Sequence, residues 1–156
     1  MNGQVRYSFA KNRVWLRPRV RMHVTHQKGE IAQIKVMLRA MEKGVVLSKP
    51  LIESRYDFIL DDGQKLERVQ VKYANGKWSN SQGSVRINLK SWEGRKMRRR
   101  YSANEVDALL VYVPQIDEVL RFEANIFCER TGFTVRIEPA KNGQTKGTLS
   151  AKDFIW

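Results

Sequence analysis

The spacing of apolar positions changes period several times along the chain, and each change marks an element. From Gln27 to Lys43, Ile31, Ile34, Met37, Leu38 and Met41 recur every three or four residues, which predicts a helix burying that stripe. Thr25 is a candidate N-cap, and Gly44 fits the left-handed stop after the last turn. Val45, Val46 and Leu47 read as a short strand ended by Pro50. Between Arg55 and Lys72 the period falls to two: Phe58, Leu60, Leu66, Val69 and Val71 supply the apolar side of a hairpin that turns at Asp62-Gly63 or Gly63-Gln64. Asn75-Gly76 is a second turn signal, and Ser84 to Leu89 alternates as another strand, Val85, Ile87 and Leu89 opposite Arg86 and Asn88.

Downstream, Ser102 to Glu105 resembles a helical turn, and the apolar run Val106 to Val113, stopped by Pro114, predicts a central strand. Val119 to Phe122 and the pair Val135 and Ile137 predict two more strands, with a turn at Asn142-Gly143-Gln144. Asp153 to Trp156 is an apolar tail that either caps the core or meets another subunit. With no repeat, low-complexity segment or internal linker, the pattern predicts one mixed α/β (α+β) domain over residues 27–156, preceded by an arm over 1–26.

Side-chain alternation makes the hairpin chemically interesting. Gln70 and Lys72 share a face, and either turn puts them on the same side as Asp57; the Gly63-Gln64 turn sets Gln70 across from Asp57. A carboxylate, an amide oxygen and an ammonium converging there could hold a divalent metal beside a phosphate. A solvated polar hairpin face is the plain alternative.

Composition shifts the balance. The 156 residues are 42% hydrophobic, enough for one folded core, and Lys and Arg number 29 against 16 acidic residues, a formal charge of +13 with a pI near 10.2. That excess implies a polyanionic partner. No apolar run is long enough to span a bilayer, and a single cysteine, Cys128, fits a reducing compartment. These readings together favour a cytoplasmic protein, nucleoid-associated when bound, over a membrane protein. Arg6, Lys11, Arg13, Arg17, Arg19 and Arg21 make the arm basic, either a phosphate grip or a disordered extension. Arg95, Lys96, Arg98, Arg99 and Arg100 form a second basic run, read as a phosphate-binding loop rather than a merely solvated one. His23 and His26 have a helical metal spacing, but only Cys128 is available as a soft companion, so ordinary basic-arm histidines are expected over a zinc site.

Taken in order, Gly29-Glu30, Arg55-Tyr56-Asp57, Val69-Gln70-Val71-Lys72, Tyr101 to Asp107, Pro139 to Gln144 and Ala151 to Phe154 resemble the group I intron-associated homing endonucleases of the PD-(D/E)XK superfamily, from about residue 27 to the C-terminus. The resemblance implies a restriction-endonuclease-like core, a mixed β-sheet flanked by helices, and Mg2+-dependent cleavage of DNA, with Mn2+ as a substitute. It matches Asp57 to the metal-binding aspartate, Lys72 to the catalytic lysine and Glu30 to the acidic residue of the first helix. Glu30 also lies in the first predicted turn, where helix-end electrostatics alone would favour a carboxylate. Tyr56 stands where the superfamily has its eponymous proline, and Gln70 where most members have Asp or Glu. The glutamine removes a negative charge from the metal site.

On this reading Asp57, the Gln70 side-chain oxygen and the Val71 carbonyl are metal ligands, with Glu30 holding a second metal or a water. Lys72 orients the attacking water and stabilises charge on the phosphate. Arg86, Asn88 and Lys90, with Gln82, are candidates to read duplex DNA, although an exposed strand face explains Arg86 and Lys90 equally well. A long specific target implies a homodimer or homotetramer. The competing expectations are a Holliday-junction resolvase-like nuclease and a non-catalytic DNA-binding module.

Overall fold

A computed structural model describes residues 23–74, 76, 83–90, 92–93, 96–97, 99–139, 143 and 147–156. The first 22 residues of the arm, Gln82, Arg95, Arg98 and most of the 142–144 turn lie outside these.

Helix α1 (Val24–Lys43) lies on a five-stranded mixed sheet of β1 (Val46–Ser48), β2 (Phe58–Asp61), β3 (Leu66–Tyr73), β7 (Ala108–Val113) and β8 (Glu118–Glu123), in that spatial order. β3 and β7 are parallel, and the other neighbours are antiparallel. Between β3 and β7 the chain forms β4 (Ser84–Asn88) and a short ribbon of β5 (Trp92–Glu93) and β6 (Lys96–Met97). After β8 come a one-turn helix α2 (Ala124–Phe127), β9 (Gly132–Arg136), β10 (Leu149–Ser150) and a 3-10 turn over Ala151–Asp153. The order β10-β9-β4 makes a second sheet.

Two apolar layers sandwich the main sheet. On one side Val69, Val71, Phe58, Leu60 and Leu110 pack on α1; on the other Leu109, Val111, Leu120 and Phe122 meet Val85, Ile87, Phe133 and Val135 of the second sheet. Helix flanking is therefore one-sided, and the far face is closed by strands with the short α2. The expected central strand is borne out: β7 lies between β3 and β8 and all six of its residues are buried. Ser84 to Leu89 alternates as expected, with Val85, Ile87 and Leu89 inward.

α1 departs from the expected pattern. Its buried residues are Ala32, Val36 and Ala40, one every four positions, whereas Ile34, Leu38 and Met41 are 62%, 50% and 72% exposed. Small residues let the helix lie close on the sheet, so the stripe of large residues that the sequence assigned to the core is turned outward. The N-cap is His23 rather than Thr25: its Nδ1 accepts from the Thr25 N–H, and its ring meets His26 edge-on at 5.9 Å. No cluster of His, Cys, Asp or Glu suited to a metal occurs among the described residues. Glu30 falls in the second turn, so helix-end electrostatics does not explain it. Gly44 takes the expected left-handed C-cap, φ 68°.

The apolar tail caps the core. Phe154 stacks on Phe122 at 4.7 Å, Trp156 packs in the α1 layer, and the Trp156 N–H donates to Val119 O. No helix among the described residues is long and apolar enough to cross a membrane.

Candidate active site

The hairpin register is the one that places Gln70 beside Asp57: Phe58 pairs with Val69 and Asp61 with Leu66. The loop is longer than two residues, because Asp62 Oδ1 accepts from both Gln64 N and Lys65 N and so closes an Asx turn. Asp57 sits just before β2. Its N–H donates to Val69 O at 2.9 Å, which keeps the main chain tied to β3 beyond the regular ladder.

The Asp57 side chain then meets β3. Its Oδ2 accepts from the Val71 N–H at 2.7 Å and from the Gln70 Nε2 at 2.5 Å. The same Gln70 nitrogen lies 3.3 Å from the Val71 carbonyl oxygen. One positively polarised amide group therefore faces both Asp57 Oδ2 and Val71 O. These are the two hard oxygen ligands expected of a divalent-metal site, converging on one point as a cation requires. Turning the Gln70 amide over would replace its nitrogen with a third oxygen. The donor set fits a hard divalent cation. Burial lifts the half-buried Asp57 carboxyl above its ordinary value, while the Val71 N–H, the charges of Lys72 and Lys49 and the Gln70 amide oppose that rise.

Lys72, two residues beyond Gln70, projects to the same side, its ammonium 5.6 Å from the centre of the Tyr101 ring. Arg55 approaches that ring at 4.6 Å. Tyr101 is buried, and its ring thus serves two cations, one on the candidate catalytic strand and one just before Asp57. Arg55 also donates to Arg99 O at 2.9 Å, and its buried Nε lacks a hydrogen-bond partner, 3.6 Å from Glu105 Oε1. Glu105 accepts from Arg99 and Ser102 as well.

Sequence reasoning gave no role to Arg55, Tyr101 or Glu105, although Arg55 stands in the Arg55-Tyr56-Asp57 motif and the other two in the Tyr101 to Asp107 motif. Two cations facing one aromatic ring are invisible until the fold brings residues 55, 72 and 101 together. Asp107, in the same motif, accepts from the Arg68 backbone and guanidinium and ties β3 to the start of β7; the Arg68 hydrogen bond is the main influence holding its carboxyl below the usual range.

Glu30 is exposed and makes no hydrogen bond or ion pair with Asp57, Gln70 or Lys72 among the described residues. It lies on the N-terminal half of α1, the half at the Lys72 end of β3: Lys28 stands 5.6 Å over the Tyr73 ring, whereas Lys43, at the other end, stands over Trp156. Of the basic run, Lys96 lies on β6 and is exposed, Arg99 pairs with Glu105 at 2.5 Å, and Arg100 donates to Glu129 O at 2.9 Å. On β4, Arg86 is half-buried; Asn88 is exposed, and its side-chain oxygen accepts from Lys90 N.

A mixed sheet with a carboxylate, an amide and a lysine gathered at one end is an arrangement suited to a nuclease of restriction-enzyme type. The sequence profile of the PD-(D/E)XK endonucleases matches residues 23–156, and the chain belongs to that family. Among solved structures it is similar to that of a bacterial homing endonuclease, I-Ssp6803I, at 25% identity and a TM-score of 0.65, over 85% of this chain and 89% of that one. A search of curated protein sequences finds no match.

Proposed function

We propose that the protein is a sequence-specific DNA endonuclease of homing type, kin to the group I intron-associated branch, that hydrolyses phosphodiester bonds with Mg2+, or Mn2+ in its place, and makes a double-strand break as a homo-oligomer. The observation that carries the reading is the convergence of Asp57 Oδ2 and Val71 O on one point beside Lys72. Asp57, Val71 O and a reoriented Gln70 would hold the cation, with Glu30 able to hold a further cation or a water from α1. The cation would supply charge neutralisation at the phosphate and acidify a water. Lys72 orients that water and donates to the phosphate oxygens as charge develops. Arg86, Asn88, Lys90 and the basic run Arg95 to Arg100 would meet the duplex, the arginines and lysines gripping phosphates and Asn88 reaching base edges.

Cleavage of a randomised duplex library with Mg2+ tests this directly. Cuts at one recurrent sequence are the expected result. Cuts confined to four-way junctions would replace the homing reading with a resolvase, and tight binding without any cut would leave a binding module.

Gln70→Glu separates the contributions of charge and hydrogen bonding. The added carboxylate is expected to raise Mn2+ affinity about tenfold, read by calorimetry. The same change removes the donor that bridges Asp57 and Val71, so without metal the variant should melt lower than the parent. Equal affinity and equal melting in both proteins would remove Gln70 from the site.

The outward face of α1 supports assembly. Ile31, Ile34, Met37, Leu38 and Met41 leave a continuous apolar stripe on the surface, on the order of several hundred Å2, a large part of the ~800 Å2 per partner in a standard interface. A double-strand break needs two sites, and a second copy carries the matching stripe. Ile34→Glu with Met41→Glu should sediment as a monomer where the parent does not, and should nick DNA instead of cutting both strands. An unchanged sedimentation coefficient would assign assembly to another face.

A further inference from the structure

Lys49 stands outside every element of the site described above, yet three observations bring it there. The first is register. β1 is the outermost strand, paired antiparallel with β2, and its last pair is Ser48 with Ile59. One step further along that ladder Lys49 comes level with Phe58, the residue after Asp57. β2 thus has one lysine-bearing strand on each side: Lys72 on β3 and Lys49 at the end of β1. The second is the side chain's own contact: Lys49 Nζ donates to Gln33 Oε1 at 3.2 Å. Gln33 follows Glu30 by one helical turn, so the ammonium is held between α1 and the sheet end that carries Asp57. The third is electrostatic. Lys72 and, after it, Lys49 are the cations that act most strongly on the Asp57 carboxylate. Among the described residues no ion pair joins Lys49 to Asp57, and Lys49 is exposed.

We infer that Lys49 is a second phosphate-contacting lysine of the active site, placed by the β1 edge on the side of Asp57 opposite Lys72 and held there by Gln33. The inference rests on the nuclease reading above. An exposed ammonium with one neutral partner keeps donors for another acceptor, and a phosphate seated at Asp57 brings such acceptors between two cations. Lys72 and Lys49 then approach different oxygens of one phosphate, and stabilise the charge that builds up as its bond to the leaving oxygen breaks. Gln33 is a positioning residue in this arrangement: it carries no charge and aims the ammonium.

The test compares the parent with Lys49→Gln, Lys49→Arg and Gln33→Ala, each as the full chain. Single-turnover cleavage with Mg2+, at protein concentrations that saturate the duplex, is expected to slow about tenfold in Lys49→Gln, less than the roughly hundredfold cost of a donor lost from a water-excluded site, because this one is open to solvent. Lys49→Arg should recover part of that loss, and Gln33→Ala should lose about threefold. Duplex affinity in Ca2+ should change by no more than the loss of one ordinary phosphate contact, so the loss appears in rate rather than in binding. A readout independent of cleavage is Mn2+ binding without DNA: removing a cation beside Asp57 should tighten it about threefold. A parent that cuts, with Lys49→Gln cutting at the same rate or binding Mn2+ no better, overturns the inference and leaves the nuclease reading standing. A parent that neither binds Mn2+ nor cuts overturns both.

Discussion

Lys72→Ala should lose about 10²- to 10³-fold in single-turnover cleavage, the cost of removing one charged donor from a developing phosphate charge. Binding of the same duplex in Ca2+ should stay within about threefold, because one lysine among many basic residues contributes little to affinity. The fold should persist. Lys72 is half-buried, and its ammonium meets the Tyr101 ring, an interaction on the order of 0.5–1 kcal/mol at a partly exposed site. Rapid quench of a labelled duplex measures the first quantity, and a urea melt the last. A variant that cuts at the parental rate would remove Lys72 from the chemistry and, with it, the nuclease reading of this face.

Asp57→Asn has the second large expected effect, and it acts in two directions. Activity should fall at least as far as in Lys72→Ala, since the cation would lose its one charged ligand on the hairpin. Stability should rise. Burial raises the Asp57 carboxyl above its unfolded value of about 3.8, so the folded state holds this proton more tightly than the unfolded state does. Below the unfolded value the carboxyl is neutral in both states and costs nothing. As the pH climbs through the folded value the unfolded chain has already released its proton, and the folded protein carries an unfavourable buried charge. Asparagine keeps an oxygen for the Val71 N–H and carries no charge. The variant should therefore melt above the parent at pH 8, with the gap closing toward pH 4. A gap that is absent at pH 8, or that widens on acidification, would contradict the burial argument.

Much of this site was legible from the residues because alternation is a strict rule. Once Phe58, Leu60, Val69 and Val71 were assigned inward, Gln70 and Lys72 had to face together, and the register with Asp57 followed from the turn. The central strand was legible for a second reason: an unbroken apolar run ended by Pro114 has few other places to go. The face of α1 was not. A period of 3.6 residues reveals that a stripe exists but not which of two neighbouring stripes meets the sheet, and Ala32, Val36 and Ala40 won by allowing close approach. The second sheet joins residues near 85 to residues near 135, and no local signal specifies such a pairing. The direction in which the Gln70 amide points, and the gathering of Arg55, Lys72 and Tyr101, are likewise products of contacts distant in sequence.

The shared Tyr101 ring has a consequence for how variants of the basic run should be read. Arg55 grips the main chain of Arg99 and leans on the same ring as Lys72, so the segment that would hold the DNA backbone and the lysine that would act on it are parts of one lever. A charge removed from that segment is not a pure change of grip, since any shift in its main chain reaches Lys72 through a single intervening side chain. Variants of that segment should therefore move affinity and turnover together.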